Sequence, residues 1–146
     1  MQAYTSKVLA LFIADPDHPQ NLPRDMLQLD PDGIIGDKHY AKEPSRSVLV
    51  TSRYAYDLAK REGIDIMHGQ LGENILIDYD LRDLKPGDRL QMGETVLEIA
   101  QNCTLCNHLS KIDKRVPKLL RHDRGVFARV VRGGSLRRYD EVSLLK

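Results

Sequence analysis

Both cysteines of this 146-residue chain fall in one stretch, Ala100-Gln-Asn-Cys-Thr-Leu-Cys-Asn-His-Leu-Ser-Lys111, with His108 two positions after the second. Three chemistries use such a string: a redox dithiol, half of a zinc site, or one reactive thiolate that carries or contacts sulfur. A thioredoxin-like dithiol belongs after the first strand of a βαβ unit, whereas this pair follows a β-meander late in the chain. A structural zinc site needs four ligands. Local spacing offers Cys103, Cys106 and His108, so the fourth would have to come from His39, His68 or His122. A single thiolate needs only surroundings that favour S⁻. Asn102 or Thr104 can cap a following helix, which puts Cys106 in or beside its first turn. There the helix dipole, free N–H groups and nearby cations lower a thiol pKa. Cys103 reads more simply as a small buried apolar residue.

Other side chains could share that chemistry. Asp37 and His39 lie in one loop and can orient each other, with His39 moving protons near neutral pH. Arg46 can clamp an anion bidentately. In Gly72-Glu73-Asn74 the glycine frees the backbone to turn, while Glu73 and Asn74 offer a charged acceptor and an amide at a strand mouth. Each also has a purely structural role open to it. Asp37 and Asn74 can cap turns, Glu73 can pair with Arg46, and His39 can simply be exposed. From Lys111 to Arg138 there are ten Lys or Arg against two acids, in a chain whose net charge is +1. That basic third, which includes Arg124, suits an anionic partner or a solvated surface.

The elements that must position these residues are short. Val8 to Ala14 is a continuous apolar run, as in a strand buried on both faces. Asp30-Pro-Asp-Gly33 is a hairpin turn, Ser47 to Thr51 a strand, and Ser52 caps a helix that Gly63 ends. Glu73 to Tyr79, Arg89 to Met92, Thr95 to Ala100, Val126 to Val131 and Asp140 to Leu145 read as strands. Gly93 and Gly133-Gly134 read as tight hairpin turns. Leu105, Leu109 and Ile112 have helical spacing, and Pro117 breaks that helix or begins another. Seven or more strands joined by turns argue for a mainly β domain spanning 1–146, a closed or nearly closed β-barrel with helical insertions. They argue against doubly wound α/β.

Composition narrows the rest. Hydrophobic residues at 41% and charged residues at 29% fit a globular domain. Two cysteines make no disulfide framework, and no run reaches the roughly 20 apolar residues of a membrane span. A cytoplasmic location with no membrane partner is therefore expected. A net charge of +1 argues against non-specific nucleic-acid binding.

Gly33-Ile-Ile-Gly-Asp-Lys-His39, Arg46-Ser-Val-Leu-Val50, Gly69-Gln-Leu-Gly-Glu-Asn74 and Leu84-Lys-Pro-Gly-Asp-Arg-Leu90 occur in that order. A late cysteine and Arg124-Gly-Val-Phe-Ala-Arg-Val-Val-Arg-Gly-Gly134 follow them. Together these strings resemble the MOSC domain, the C-terminal module of molybdenum-cofactor sulfurases that also occurs as free-standing bacterial proteins. The resemblance implies a pyruvate-kinase-like β-barrel and a place in sulfur or molybdenum-cofactor metabolism. It matches Cys106 to the family cysteine, since a polar residue and an apolar helical segment follow it. Cys106, His39 and Asp37 are then the catalytic candidates. Arg46, Gly72, Glu73, Asn74 and Arg124 are the cofactor-binding candidates, and no metal ligand set is assigned. The expected function is a cysteine-based sulfur carrier or sulfurtransferase-like protein that binds an anionic cofactor such as molybdopterin. A desulfurase or reductase would be its partner. The alternatives are a non-catalytic molybdopterin-binding module and a zinc-bearing interaction domain. Molybdenum and pyridoxal-phosphate binding are both usual terms for the family. The latter belongs to the larger sulfurases' aminotransferase-like domain, which is not in this sequence. The final strand begins Tyr139-Asp140 where relatives have Gly-Asp.

Overall fold

The computed structural model describes residues 5–102, 107–121 and 123–145. Eleven strands and two short helices follow one another among them. These are β1 (Ser6–Ile13), β2 (Leu22–Arg24), β3 (Met26–Asp30), β4 (Gly33–Ile34), β5 (Val48–Ser52), α1 (Arg53–Arg61) and β6 (Ile75–Ile77). Then come β7 (Arg89–Met92), β8 (Thr95–Asn102), α2 (Val116–Leu119), β9 (Val126–Arg132), β10 (Gly134–Arg137) and β11 (Glu141–Leu145). The chain is mainly β, as its turn-punctuated apolar runs require.

Seven strands close into a barrel in the order β11-β7-β8-β9-β5-β6-β1, with β1 pairing back onto β11. Among the described residues every pairing is antiparallel except β5–β6, the two strands that α1 connects. β2 extends β1 outside the ring, and β3, β4 and β10 form a separate three-stranded sheet. The hairpin at Asp30–Gly33 is present as expected, with Asp30 opposite Gly33.

Alternation along the strands sorts two apolar clusters. Ile75 and Ile77 of β6 face the barrel interior with Val8, Val50, Leu97 and Ala128. Leu76 between them faces outward. It packs under α1 with Ala55, Tyr56 and Ala59, and with Leu109, Val116 and Leu120 of the later helical segment. β6 is thus buried on both faces, as a strand in a helix-covered parallel pair must be. Each such aliphatic side chain contributes about 2 kcal/mol of burial. Ser52 caps α1, its hydroxyl accepting the Tyr54 N–H at 3.2 Å.

Two expectations change. The helix read between the cysteines and Arg121 is a 3-10 turn at Asn107–Lys111 followed by the single-turn α2, with Pro117 in the first turn of the latter. Gly133-Gly134 is not a hairpin turn. β10 leaves β9 and pairs with β3, while β11 pairs with β7 and β1. The reason is a close crossing: a Cβ on Gly133 would stand 2.3 Å from the Leu29 carbonyl oxygen. The glycine lets the chain pass over β3 and change sheets. Tyr139, where a glycine was expected from the resemblance, sits at φ 72.

Candidate functional site

A cleft of ≈ 680 Å³ opens where the starts of β5 and β6 meet the loop at 36–39 and the segment around Lys111. Asn74 builds its back wall. Its backbone bridges β1 and β5, donating to the Leu49 carbonyl at 2.9 Å and accepting the Phe12 N–H at 2.8 Å. Its side-chain oxygen accepts the Leu49 N–H at 3.0 Å, and its amide donates to the Phe12 carbonyl at 3.3 Å and to Asp37 Oδ1 at 3.0 Å. A residue that stitches three segments has little left for a ligand. Asn74 is there to position Asp37.

Asp37 is buried and takes four donors. Oδ1 accepts the Ala14 N–H at 2.6 Å and the Asn74 amide, and Oδ2 accepts the His39 N–H at 2.9 Å and His39 Nδ1 at 3.1 Å. Burial alone would raise its pKa. The His39 side chain, the Ala14 and His39 N–H groups and the charge of His39 outweigh that and hold it below 3.8. An ionised Asp37 fixes the tautomer of His39, with Nδ1–H toward the carboxylate and the Nε2 lone pair free. The His39 side chain is 51% exposed and lines the cleft. This is a base held by a buried acid, the arrangement for moving one proton at Nε2.

Four cations line the same cleft: Lys38, Arg46, Lys111 and Arg124. No carboxylate is among its lining residues that the structure describes. Arg46, on the 3-10 turn Pro44–Arg46, is exposed and makes no ion pair among the described residues. Its guanidinium lies 4.8 Å over the Phe127 ring. Phe127 stands opposite Leu49 in the β5–β9 register, so the two form an apolar platform beneath that arginine. Arg124 is buried, and its Nε and Nη2 donate to the Leu71 carbonyl at 3.0 and 2.9 Å. A Cβ on Gly72, at φ 89, would come within 3.1 Å of Arg124 Nη2, so the glycine makes room for the guanidinium. Asn21 holds the turn from the other side, donating to the Gly72 and Glu73 carbonyls.

The Glu73 carboxyl does not line the cleft. It is fully buried behind the glycine turn, where Oε2 accepts the Tyr56 hydroxyl and Oε1 has no hydrogen-bond partner among the described residues. Tyr56 in turn accepts the Gly69 N–H at 3.0 Å. Burial raises the pKa of Glu73, against the pull of Tyr56, the Glu73 and Gly69 N–H groups and the Arg124 charge. It raises that of Tyr56 too, helped by the Glu73 charge. The salt bridge imagined between Glu73 and Arg46 is not formed.

The structure therefore brings together His39, Arg46, Gly72, Asn74 and Arg124 on the cleft wall, with Asp37 and Glu73 directly behind them. Cys106 and Cys103 lie outside the described residues, which resume at Asn107. Lys111 and Ile112 from the resumed segment line the cleft. His68 is exposed and stacks edge-on against Tyr56, with ring centroids 4.8 Å apart. The basic third is divided. Arg115 pairs with Asp113, Arg129 with Glu98 and Arg138 with Asp25, whereas Lys111 and Arg124 face the cleft. Among the described residues no three of His, Cys, Asp or Glu form a metal-holding group, and no helix is long and apolar enough to cross a membrane. Sequence reading missed Lys38, Phe127 and Tyr56, and named Lys111 only as the start of the basic third. The signal for Tyr56 was available: a phenol on the apolar face of a helix must find a buried partner.

The MOSC domain profile matches residues 37–143. No curated protein matches the sequence. Among solved structures the YuaD protein from Bacillus subtilis is similar, with TM-score 0.78 and 23% identity over 95% of this chain and 94% of that one. YiiM from Geobacillus stearothermophilus gives TM-score 0.77 and 14% identity over 97% of this chain and 75% of that one. YiiM from Escherichia coli gives 0.72 and 18%, over 96% and 70%. At these identities the likeness shows a shared fold.

Proposed function

We propose, from the premise that this chain belongs to the MOSC domain family, that its cleft binds a phosphate-bearing anionic cofactor of the molybdopterin type and that Cys106 handles sulfur. The observation that carries the binding half is the charge pattern: among the described residues, four cations and no carboxylate line one concavity. A site of that sign, with donors on several walls, attracts and orients a polyanion. The residues present fit the group. Arg46, Lys38, Lys111 and Arg124 would hold phosphate oxygens, and the Leu49–Phe127 platform would take an apolar or planar portion. A cleft of ≈ 680 Å³ is within the range for small-molecule sites. When bound, the cofactor would supply a sulfur-ligated molybdenum centre for oxygen-atom or sulfur chemistry.

This chain's own residues do the rest. Arg46 and Arg124 neutralise the ligand's charge, and His39 Nε2 holds or releases a proton at the mouth of the site. Cys106, four residues before the described Ser110 and five before Lys111, is the sulfur-bearing group. As a thiolate it would attack the outer sulfur of a donor's persulfide. The donor S–S bond breaks, a new S–S bond forms on Cys106, and the donor thiolate leaves and takes up a proton. That donor would be a desulfurase-type partner.

The test has two readouts. After incubation with a cysteine desulfurase and cysteine, mass spectrometry of the intact protein should find one added sulfur atom, absent from Cys106→Ala. Released phosphopterin, measured by fluorescence after reconstitution and denaturation, should be retained by Cys106→Ala and lost from Arg46→Ala. Retention by Arg46→Ala at the unsubstituted level would refute the binding half, and added sulfur persisting in Cys106→Ala would refute the other.

A further inference from the structure

Behind the cleft wall lies a carboxyl that ligand binding as described does not use. Glu73 is fully buried, with one oxygen on Tyr56 and the other without a hydrogen-bond partner among the described residues. The ionisable groups around it come from three elements. α1 supplies Tyr56, with the exposed His68 ring edge-on behind it. The turn before β9 supplies Arg124, whose charge acts on Glu73. Beyond the neighbouring Asn74 lie Asp37 and His39. The glycine turn itself contributes only N–H groups, and Asn21 reaches the Glu73 carbonyl rather than its carboxyl.

Of the groups that act on Glu73, Arg124 is the cation that also lines the cleft. Its guanidinium packs on the turn that carries Glu73, donating to the Leu71 carbonyl and lying 3.1 Å from where a Gly72 Cβ would stand, and it also lines the cleft. When Glu73 is ionised, it offsets the positive field that Arg124 presents to the cleft. When Glu73 is neutral, that offset is gone. A second negative charge brought to the same guanidinium repels an ionised Glu73 across an interior of low dielectric, where water cannot relieve the repulsion.

We infer that an anion entering the cleft drives Glu73 to take up a proton, through their shared neighbour Arg124, so that the cleft grips anions more tightly as pH falls. The acid responsible never touches the ligand. Burial supports this by moving the titration of Glu73 upward from the ordinary carboxylate range. By linkage the two effects are reciprocal: the anion raises proton affinity by the factor by which the proton raises anion affinity. The inference rests on the anion-binding reading of the cleft and adds its regulation.

The experiment is a calorimetric titration of the full chain with sulfate, which does not itself titrate near neutral pH. Repeating it in buffers of different ionisation enthalpy counts the protons exchanged. The expected result is proton uptake on binding, with affinity falling about tenfold as pH rises through the Glu73 titration, a coupling of one pKa unit. Glu73→Gln should bind sulfate at the low-pH affinity throughout and exchange no proton at this group. Tyr56→Phe removes the hydroxyl that favours the ionised carboxyl, so the whole profile should move to higher pH. Unchanged proton uptake in Glu73→Gln, an unmoved profile in Tyr56→Phe, or transfer of the whole dependence to His39→Gln would each overturn the coupling while leaving anion binding intact. Absence of sulfate binding at every pH would overturn both.

Discussion

Replacing Asp37 by Asn tests the base-and-acid pair at its root. The carboxylate accepts four donors: the Ala14 N–H, the Asn74 amide, the His39 N–H and His39 Nδ1. An amide in its place keeps one oxygen. The least costly orientation leaves that oxygen toward Ala14 and Asn74 and turns the new NH₂ toward His39. His39 can then reverse its tautomer so that Nδ1 accepts, but its backbone N–H is left facing a donor. A part-buried N–H left without an acceptor costs about 1 kcal/mol, and the two surviving bonds lose their charge assistance, about 0.5 to 1 kcal/mol each. The sum is about 2 to 3 kcal/mol, or roughly 8 °C in Tm for a chain of this size. Urea unfolding measures the first quantity, and nitrogen chemical shifts of His39 report the tautomer. The pH dependence has a definite sign. Asp37 is depressed below 3.8 in the folded protein, so its contribution is fully present above the unfolded carboxylate range. It is lost as pH falls through the lower folded value, and the gap to Asp37→Asn should close only there. A variant within about 0.5 kcal/mol of the parent at pH 7, or one that keeps the proton on Nδ1, would refute the reasoning.

Three further outcomes follow from local geometry. Tyr139→Gly should stabilise the fold by about 1 kcal/mol, because a tyrosine at φ 72 carries a left-handed penalty that glycine does not; a lower urea midpoint would contradict this. Gly133→Ala should destabilise by about 3 kcal/mol or prevent folding, since its Cβ would stand 2.3 Å from the Leu29 carbonyl oxygen; an unshifted thermal midpoint would show that β10 crosses β3 more loosely. Ser52→Ala should cost about 1 kcal/mol through loss of the α1 cap, and Ser52→Thr should recover most of it in the same unfolding assay.

The barrel was legible because its strands are apolar runs between unambiguous turns, and the closed ring is the arrangement that leaves no bare edge on so many short strands. The sheet change at Gly133 was not legible. A glycine pair reads as a turn, and only the position of Leu29 shows that it serves a close crossing. The later helical segment was overread because Leu109 and Ile112 keep a spacing of three that a 3-10 turn also satisfies over so short a run, while Leu105 lies outside the described residues. Within the site, motif residues announced themselves by type: Asp37 with His39, Arg46, and Arg124. Their division of labour was hidden, since the sequence cannot show that Asn74 uses its amide on Phe12, Leu49 and Asp37. Nor can it show that Glu73 turns inward to Tyr56. Phe127 and Lys38 escaped because their neighbours in the motif strings drew the functional reading instead.

The central claim is that polyanions enter the carboxylate-free cleft and not the basic outer surface. Amide chemical-shift mapping with inorganic pyrophosphate addresses it directly. The largest saturable shifts should fall on Lys38, His39, Arg46, Gly72 and Lys111 and weaken as salt rises. Shifts concentrated on Arg129 to Arg138, or none that saturate, would contradict it.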